Sequence, residues 1–278
     1  MNREEGLRFF LPFTSQLEVA VINPVLEKIL RTGNATSASG EIVKVHSQIS
    51  EKEGESLQEI ISEVRPKMSL EIGLAYGIAS LYICEALAKA QAERHIIIDP
   101  FQHQGWKGIG FLNLKLAGYG KMIEFHEAPS FQVLPKLEAD GLRIDFAFID
   151  GWHTFDYVMV DFFYIDKLLR VGGVVVFDDL YYPSIRKLCR YILTNLPYSV
   201  FQKLAPDANH KVTLKRWLAF NLPVFSKEVR RIAKPEILEP DYKLGLRNLG
   251  YVALRKEKED VCGDGSNGTR RWDDHHEF

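Results

Sequence analysis

Ser69-Leu70-Glu71-Ile72-Gly73-Leu74-Ala75-Tyr76-Gly77-Ile78-Ala79-Ser80 is the stretch whose reading decides the fold. An apolar run, Met68–Ile72, carries an acid near its end, Glu71. A turn of small residues follows (Gly73, Ala75, Gly77), and Ile78 to Ala90 then reads as a helix. Strand, small-residue turn and helix in that order let backbone N–H groups approach a ligand closely, with a helix N-terminus aimed at it. Alone, the turn also fits a tight connection that favours glycine for steric reasons. The flanking sequence has to separate the two.

Downstream, short apolar runs alternate with helical stretches. The strand candidates are Met68–Ile72, His95–Ile98, Ile123–His126, Asp145–Ile149 and Val174–Phe177. Between them lie Ile78–Ala90, a segment from Trp106 to Gly118, Phe131–Leu137 and Phe155–Leu169. Five strands joined by helices predict parallel βαβ units and an α/β, doubly wound sheet. Ligands in such sheets bind beyond the carboxyl ends of the strands. The informative residues should therefore follow each strand.

Asp99 follows the second strand, spaced from the glycine turn so that its carboxylate can accept both hydroxyls of a ribose. A turn or capping role before Pro100 is the alternative. Ser130 follows the third strand, where an adenine edge can be read; helix capping explains it as well. Asp150, in Ile149-Asp150-Gly151-Trp152-His153, follows the fourth, and Asp178-Asp179 the fifth. Three carboxylates at neighbouring strand mouths repel unless a cation neutralises them or a proton is shared. Hard oxygen ligands suit Mg²⁺ or Mn²⁺ better than zinc. Asp179 as a helix cap and Asp150 as a turn residue is the competing account. His153, three residues after Asp150, overhangs the same cleft as a candidate base. A packing or capping role competes there too. Asp145 and Asp161 read as structural or surface residues.

Composition narrows the field. The chain has 278 residues, 46% hydrophobic and 26% charged, with a formal net charge of -2. There is no bulk electrostatic argument for nucleic acid or an anionic membrane, and no apolar run approaches the roughly 18–20 residues of a span. The N-terminus lacks the basic start and apolar core of a signal peptide. Cys84, Cys189 and Cys262 are scattered, as expected of ordinary thiols in a cytoplasmic protein.

Residues 1–66 read as a helical extension. Asn23 to Leu30 and Ser56 to Val64 have helical spacing, with Ser56 and Glu59 placed as a capping box. This region leaves a homodimer contact as an expectation. Residues 67–256 form the main domain: Pro183–Asn195 reads as helix, Tyr198–Leu204 and Tyr251–Arg255 as closing strands. An insertion of about 205–250 separates those strands and carries Trp217, Phe220, Phe225 and a basic run, Lys227, Arg230 and Arg231. Its length predicts a lid, a substrate wall or a dimer contact, and the basic run reads as a solvated helix face. Residues 257–278 read as a flexible polar tail ending near His275 and His276.

The pattern resembles the class I S-adenosylmethionine-dependent methyltransferases. It is most similar to metal-dependent small-molecule O-methyltransferases of the catechol, caffeoyl-CoA and sugar-modifying types. Glu71-Ile72-Gly73-Leu74-Ala75-Tyr76-Gly77 resembles their first motif, which holds the methionine part of the cofactor. Asp99 resembles their ribose-binding acid, and Asp150 with Asp178 and Asp179 the metal-ligand segments. His153 has the spacing of a candidate base in the sugar-modifying branch. The resemblance covers roughly residues 50–200. It implies a seven-stranded sheet whose last strand is antiparallel beside the fifth, S-adenosylmethionine at Glu71, Gly73, Ala75, Tyr76, Gly77, Asp99, Ser130 and Asp150, and a small-molecule hydroxyl acceptor. Ala75 and Trp152 depart from the family pattern; the second makes the substrate side of the cleft more aromatic.

Three alternatives stand beside metal-assisted O-methylation, in which Asp150 and His153 are catalytic. One is a metal-independent methyltransferase, and another a non-catalytic module that keeps the cofactor pocket. The third, a nicotinamide-dependent oxidoreductase, is disfavoured because Gly73, Ala75 and Gly77 step by two instead of following GxGxxG.

Overall fold

Met68–Ile72 is apolar apart from Ser69 and Glu71, and every residue in it is buried. That is the signature of a parallel strand covered on both faces. In the computed structural model, which describes residues 23–204, 244, 246 and 249–259 and the backbone of 262–263 and 270–271, this run is the central strand. The insertion residues Trp217, Phe220, Phe225, Lys227, Arg230 and Arg231, the start of the N-terminal extension, and His275 and His276 in the tail lie outside the described residues.

The chain opens with α1 (Pro24–Thr32), a two-stranded hairpin of β1 (Asn34–Thr36) and β2 (Ile42–Lys44), and α2 (Glu51–Val64). The alternating core then runs β3 (Met68–Ile72), α3 (Ile78–Lys89), β4 (Arg94–Ile98), α4 (Ile109–Leu116), β5 (Ile123–His126), α5 (Ser130–Ala139), β6 (Ile144–Ile149), α6 (Phe155–Leu168) and β7 (Leu169–Phe177). It closes with α7 (Pro183–Asn195), β8 (Tyr198–Leu204) and β9 (Tyr251–Lys256). The seven-stranded sheet has the order β5-β4-β3-β6-β7-β9-β8, parallel except for β9, which lies antiparallel between β7 and β8. This is the expected doubly wound α/β sheet with its antiparallel last strand beside the fifth parallel one. In the tail, Cys262–Gly263 and Arg270–Arg271 pair as a two-residue parallel ladder.

Alternate side chains of each strand feed two cores. Leu70, Ile72, Ile96, Ile98, Ala147 and Ile149 pack with α5, α6 and α7. Ile97, Phe146, Phe148, Val174 and Val176 pack with α1, α2 and α3. Strand order reverses between β3 and β6, so their carboxyl ends form the switch point where a crevice opens. No described helix is long and apolar enough to cross a membrane.

Two local expectations change. The capping box of α2 is Ser50 with Glu53, not Ser56 with Glu59: Ser50 Oγ accepts from Glu53 N, while Glu53 Oε2 accepts from Ser50 N at 2.7 Å. The first turn is polar and leaves no apolar period to read. Ser56 is instead buried in mid-helix, hydrogen-bonded to Tyr251 and Gln202. Nor is Ser130 an N-cap; it is the first residue of α5, after Pro129.

Candidate active site

The turn after β3 is shaped by a backbone collision that only glycine avoids. Gly73 has φ +96°, and a Cβ there would stand 2.0 Å from the carbonyl oxygen of Asp150. Gly73 N–H donates to Ile98 O and Asp150 N–H to Ile72 O, both at 2.9 Å. The glycine turn and the first acid of the suspected metal site are thus packed backbone to backbone. Ala75, at φ +47°, and Gly77, at φ +77°, continue the turn in left-handed conformations. Gly77 then caps α3.

The acids expected to meet a cofactor are drawn into the protein. Glu71 is 1% exposed, on the strand face toward α3. Its Oε1 accepts from Ser80 Oγ at 2.7 Å, and its Oε2 lies 2.9 Å from His95 Nε2. His95 Nδ1 in turn meets Ser69 Oγ at 2.9 Å. Glu71 therefore anchors the turn from below instead of facing the crevice. Asp99, 3% exposed, accepts from Leu74 N and Ala75 N at 3.0 Å each through Oδ2, and from Phe101 N at 2.8 Å through Oδ1. Gln102 Nε2 adds a contact to Oδ2 at 3.3 Å. Oδ1, which accepts from Phe101 N alone, keeps acceptor capacity for the ribose expected at this carboxylate. The turn's carbonyls are held from α4 and its approach: Gln102 binds Ala75 O and Asn113 binds Tyr76 O, each at 3.0 Å. The Tyr76 side chain turns to the N-terminal hairpin's exit, its hydroxyl 3.0 Å from His46 Nε2 and its ring 5.0 Å from Trp106. Ser130 is buried, and its hydroxyl holds the Asp161 carboxyl in α6 slightly down.

Across the turn, Asp150, His153 and Asp179 converge, with one ligand atom from each within 4.8 Å of the others. His153 Nε2 is 3.1 Å from Asp179 Oδ2. Asp179 sits at φ +58°, a left-handed conformation that aspartate tolerates better than most residues. That conformation turns its side chain back toward the crevice. Asp178, expected as a ligand, is outside this triplet; its Oδ1 accepts the N–H of Asp179 at 2.8 Å. It still contributes charge. Withdrawal from water, then Asp178 and Asp179 beside it, hold the Asp150 carboxyl well above the usual range. Burial, then Asp179 and Glu53, do the same to Asp178.

Such crowding of acids is what a cation relieves. Two carboxylates and an imidazole at this spacing fit one small divalent ion bound at roughly 2.0–2.4 Å after modest side-chain movement.

Aromatic rings line the crevice. Trp152 is 56% exposed, its ring 6.1 Å from Phe101 and 6.3 Å from Tyr157. Tyr182 stacks on the His153 imidazole at 5.0 Å and 9°. Sequence reasoning missed His95, Gln102, Asn113, Glu53 and Tyr182. Only Tyr182 carried a signal, its place three residues beyond Asp179; the others act through pairings across the fold.

The comparisons with known proteins agree with this architecture. Residues 70–180 match the family pattern described as a methyltransferase domain. Over 130 residues, 46% of this chain and 51% of the relative, the chain is 30% identical to caffeoyl-CoA O-methyltransferase 2 of Petunia hybrida. Over 151 residues, 53% of each protein, it is 23% identical to catechol O-methyltransferase of Bos taurus. The chain thus spans about half the length of the curated relatives it matches. The structure of the O-methyltransferase from Bacillus cereus in complex with SAH superposes with a TM-score of 0.53 at 18% identity, covering 65% of this chain and 84% of that one. At that identity, the match establishes the fold.

Proposed function

We propose that this chain, which carries a methyltransferase domain over residues 70–180, transfers a methyl group from S-adenosylmethionine to a hydroxyl oxygen of a small molecule, assisted by a divalent cation. One observation carries the reading. The Asp150, His153 and Asp179 side chains converge at the switch point, and Asp150 is packed against the glycine turn that begins at Gly73. A donor site and an acid cluster share one crevice. The names of the catechol and caffeoyl-CoA relatives support a small hydroxyl acceptor.

The donor supplies an already activated methyl group, and the cation supplies positive charge where the acceptor hydroxyl loses its proton. The chain's own residues do the rest. Asp150 and Asp179, with Asp178 behind them, would hold the cation. His153 Nε2 receives the hydroxyl proton, and Asp179 Oδ2 orients the imidazole and balances the charge it gains. Tyr182 fixes the ring plane by stacking. Position and charge handling account for the acceleration.

The triplet geometry favours a second reading of one residue, in which His153 is itself the third ligand. Two variants test both. Asp150→Ala should abolish metal-stimulated turnover while S-adenosylhomocysteine still binds; unchanged turnover would sink the metal mechanism. His153→Ala should lower turnover by about 10²–10⁴-fold, with metal affinity kept, if the imidazole is the base. A matching fall in metal affinity makes it a ligand.

A further inference from the structure

Two side chains from β4 and its exit hold the glycine turn at different points. Asp99, just beyond the strand, holds the middle of the turn through Leu74 N and Ala75 N. His95, near the start of β4, shares the strand face of Ile97, toward α3, and reaches the base of the turn through Glu71. Glu71 precedes the turn and Ser80 follows it, so the 2.7 Å bond from Ser80 Oγ to Glu71 Oε1 closes the loop across its neck. Gly77 starts α3 with no side-chain cap, and this bond is a side-chain tie on the first turn of the helix. Glu71 Oε2 has His95 Nε2 as its one hydrogen-bond partner among the described residues. The two residues are 1% and 0% exposed, so water does not substitute for either.

We propose that His95 is a positioning residue for the methyl donor, acting through Glu71 on the turn from Gly73 to Gly77. The identity of the ligand as S-adenosylmethionine rests on the methyl-transfer reading; the hold of His95 on the turn rests on the buried pair. A carboxylate can only accept, so His95 Nε2 donates. A buried carboxylate oxygen stripped of its N–H partner costs more than the bond it has lost. Without His95, Oε2 regains a partner only by movement of the Glu71 side chain, and Ser80 and the neck of the turn move with it. The turn has little slack to absorb that movement. Gly73 packs on the backbone of Asp150 and Gly77 on that of Gly110, where Cβ atoms would stand 2.0 Å and 3.0 Å from the carbonyl oxygens. A displaced neck therefore reaches the backbone that the methyl donor would meet.

The test is calorimetric titration of S-adenosylhomocysteine into the full chain and its variants, with thermal unfolding recorded on the same samples. His95→Leu removes the N–H group and should raise Kd about tenfold. His95→Gln, whose amide can still donate to Glu71, should bind within about twofold of the parent. Glu71→Leu should also cost about tenfold, and the double variant about tenfold in total, not the roughly hundredfold of independent effects. If His95→Leu does not fold, Glu71→Leu and the double variant carry the test, because no carboxylate is then left unpaired, and their Kd values should agree within about twofold. A lower melting temperature with Kd unaltered in His95→Leu, a His95→Gln variant as weak as His95→Leu, or a double variant weaker than Glu71→Leu by about tenfold overturns the proposal. A parent chain that does not bind S-adenosylhomocysteine refutes the donor reading and takes the proposal with it, whereas tight parent binding that His95→Leu leaves unaltered refutes the proposal alone.

Discussion

Gly73 shows how much one backbone atom can decide. Its left-handed φ and the 2.0 Å approach that a Cβ would make to Asp150 O leave no room for a side chain. Gly73→Ala should destabilise the fold by about 3 kcal/mol or more, read from urea unfolding. A loss under about 1 kcal/mol would mean that the two turns separate easily. Asp161 makes the opposite case, a polar group kept at a cost. It is 2% exposed, and its Oδ1 has no hydrogen-bond partner among the described residues. Burial pushes its carboxyl up to about 6, partly offset by Ser130. The proton is held more tightly in the folded chain than in the unfolded one, where aspartate ionises near ~4. The favourable contribution is therefore complete below about pH 4 and is lost as pH rises through about 6. Asp161→Asn should stabilise the protein by about 1–3 kcal/mol at pH 8 and by almost nothing at pH 4. Lower stability than the parent at pH 8 would contradict this account.

At the scale of elements, α2 couples the N-terminal extension to the acid cluster. Its capping box uses Glu53, whose charge also raises Asp150 and Asp178. Ser50→Ala should cost about 1 kcal/mol in thermal unfolding, and a neutral result would show that tertiary packing alone fixes this end. The helix was readable from Ile60 and its neighbours, but its start was not. Ser50-Glu51-Lys52-Glu53 and Ser56-Leu57-Gln58-Glu59 both fit a capping box, and only the packing of Ser56 against Tyr251 and Gln202 chooses between them. The loops after the strands behave likewise. Asp99 and Glu71 stand where a ligand-binding pattern places them, and local donors also meet both carboxylates. Leu74 N, Ala75 N and Gln102 meet the first, Ser80 and His95 the second. Sequence spacing gives the position of an acid along a strand; the sheet face and its neighbours decide which donors it meets.

For the whole molecule, the two cores on either side of the sheet hold the switch point rigid, so ligands there should stabilise the entire fold. Mg²⁺ at about 100 times its Kd should add about 2.7 kcal/mol to unfolding, and S-adenosylhomocysteine a comparable amount. Asp150→Asn should remove the metal part in a thermal-shift titration and leave the nucleoside part. A parent protein whose melting temperature ignores Mg²⁺ would count against the cation. The sequence by itself determined the α/β class, the placement of the parallel strands and the closing strands, and the gathering of Asp150, His153, Asp178 and Asp179 at one end of the sheet. It could do so because strand period and burial on both faces are written locally in runs such as Met68–Ile72 and Val174–Phe177. Only the tertiary structure decided that Gly73 abuts Asp150, that His153 replaces Asp178 in the close triplet, and that Glu71 pairs with His95. Those contacts join residues on different strands, and their geometry depends on backbone conformations, such as the left-handed turn at Asp179, that the assembled sheet selects.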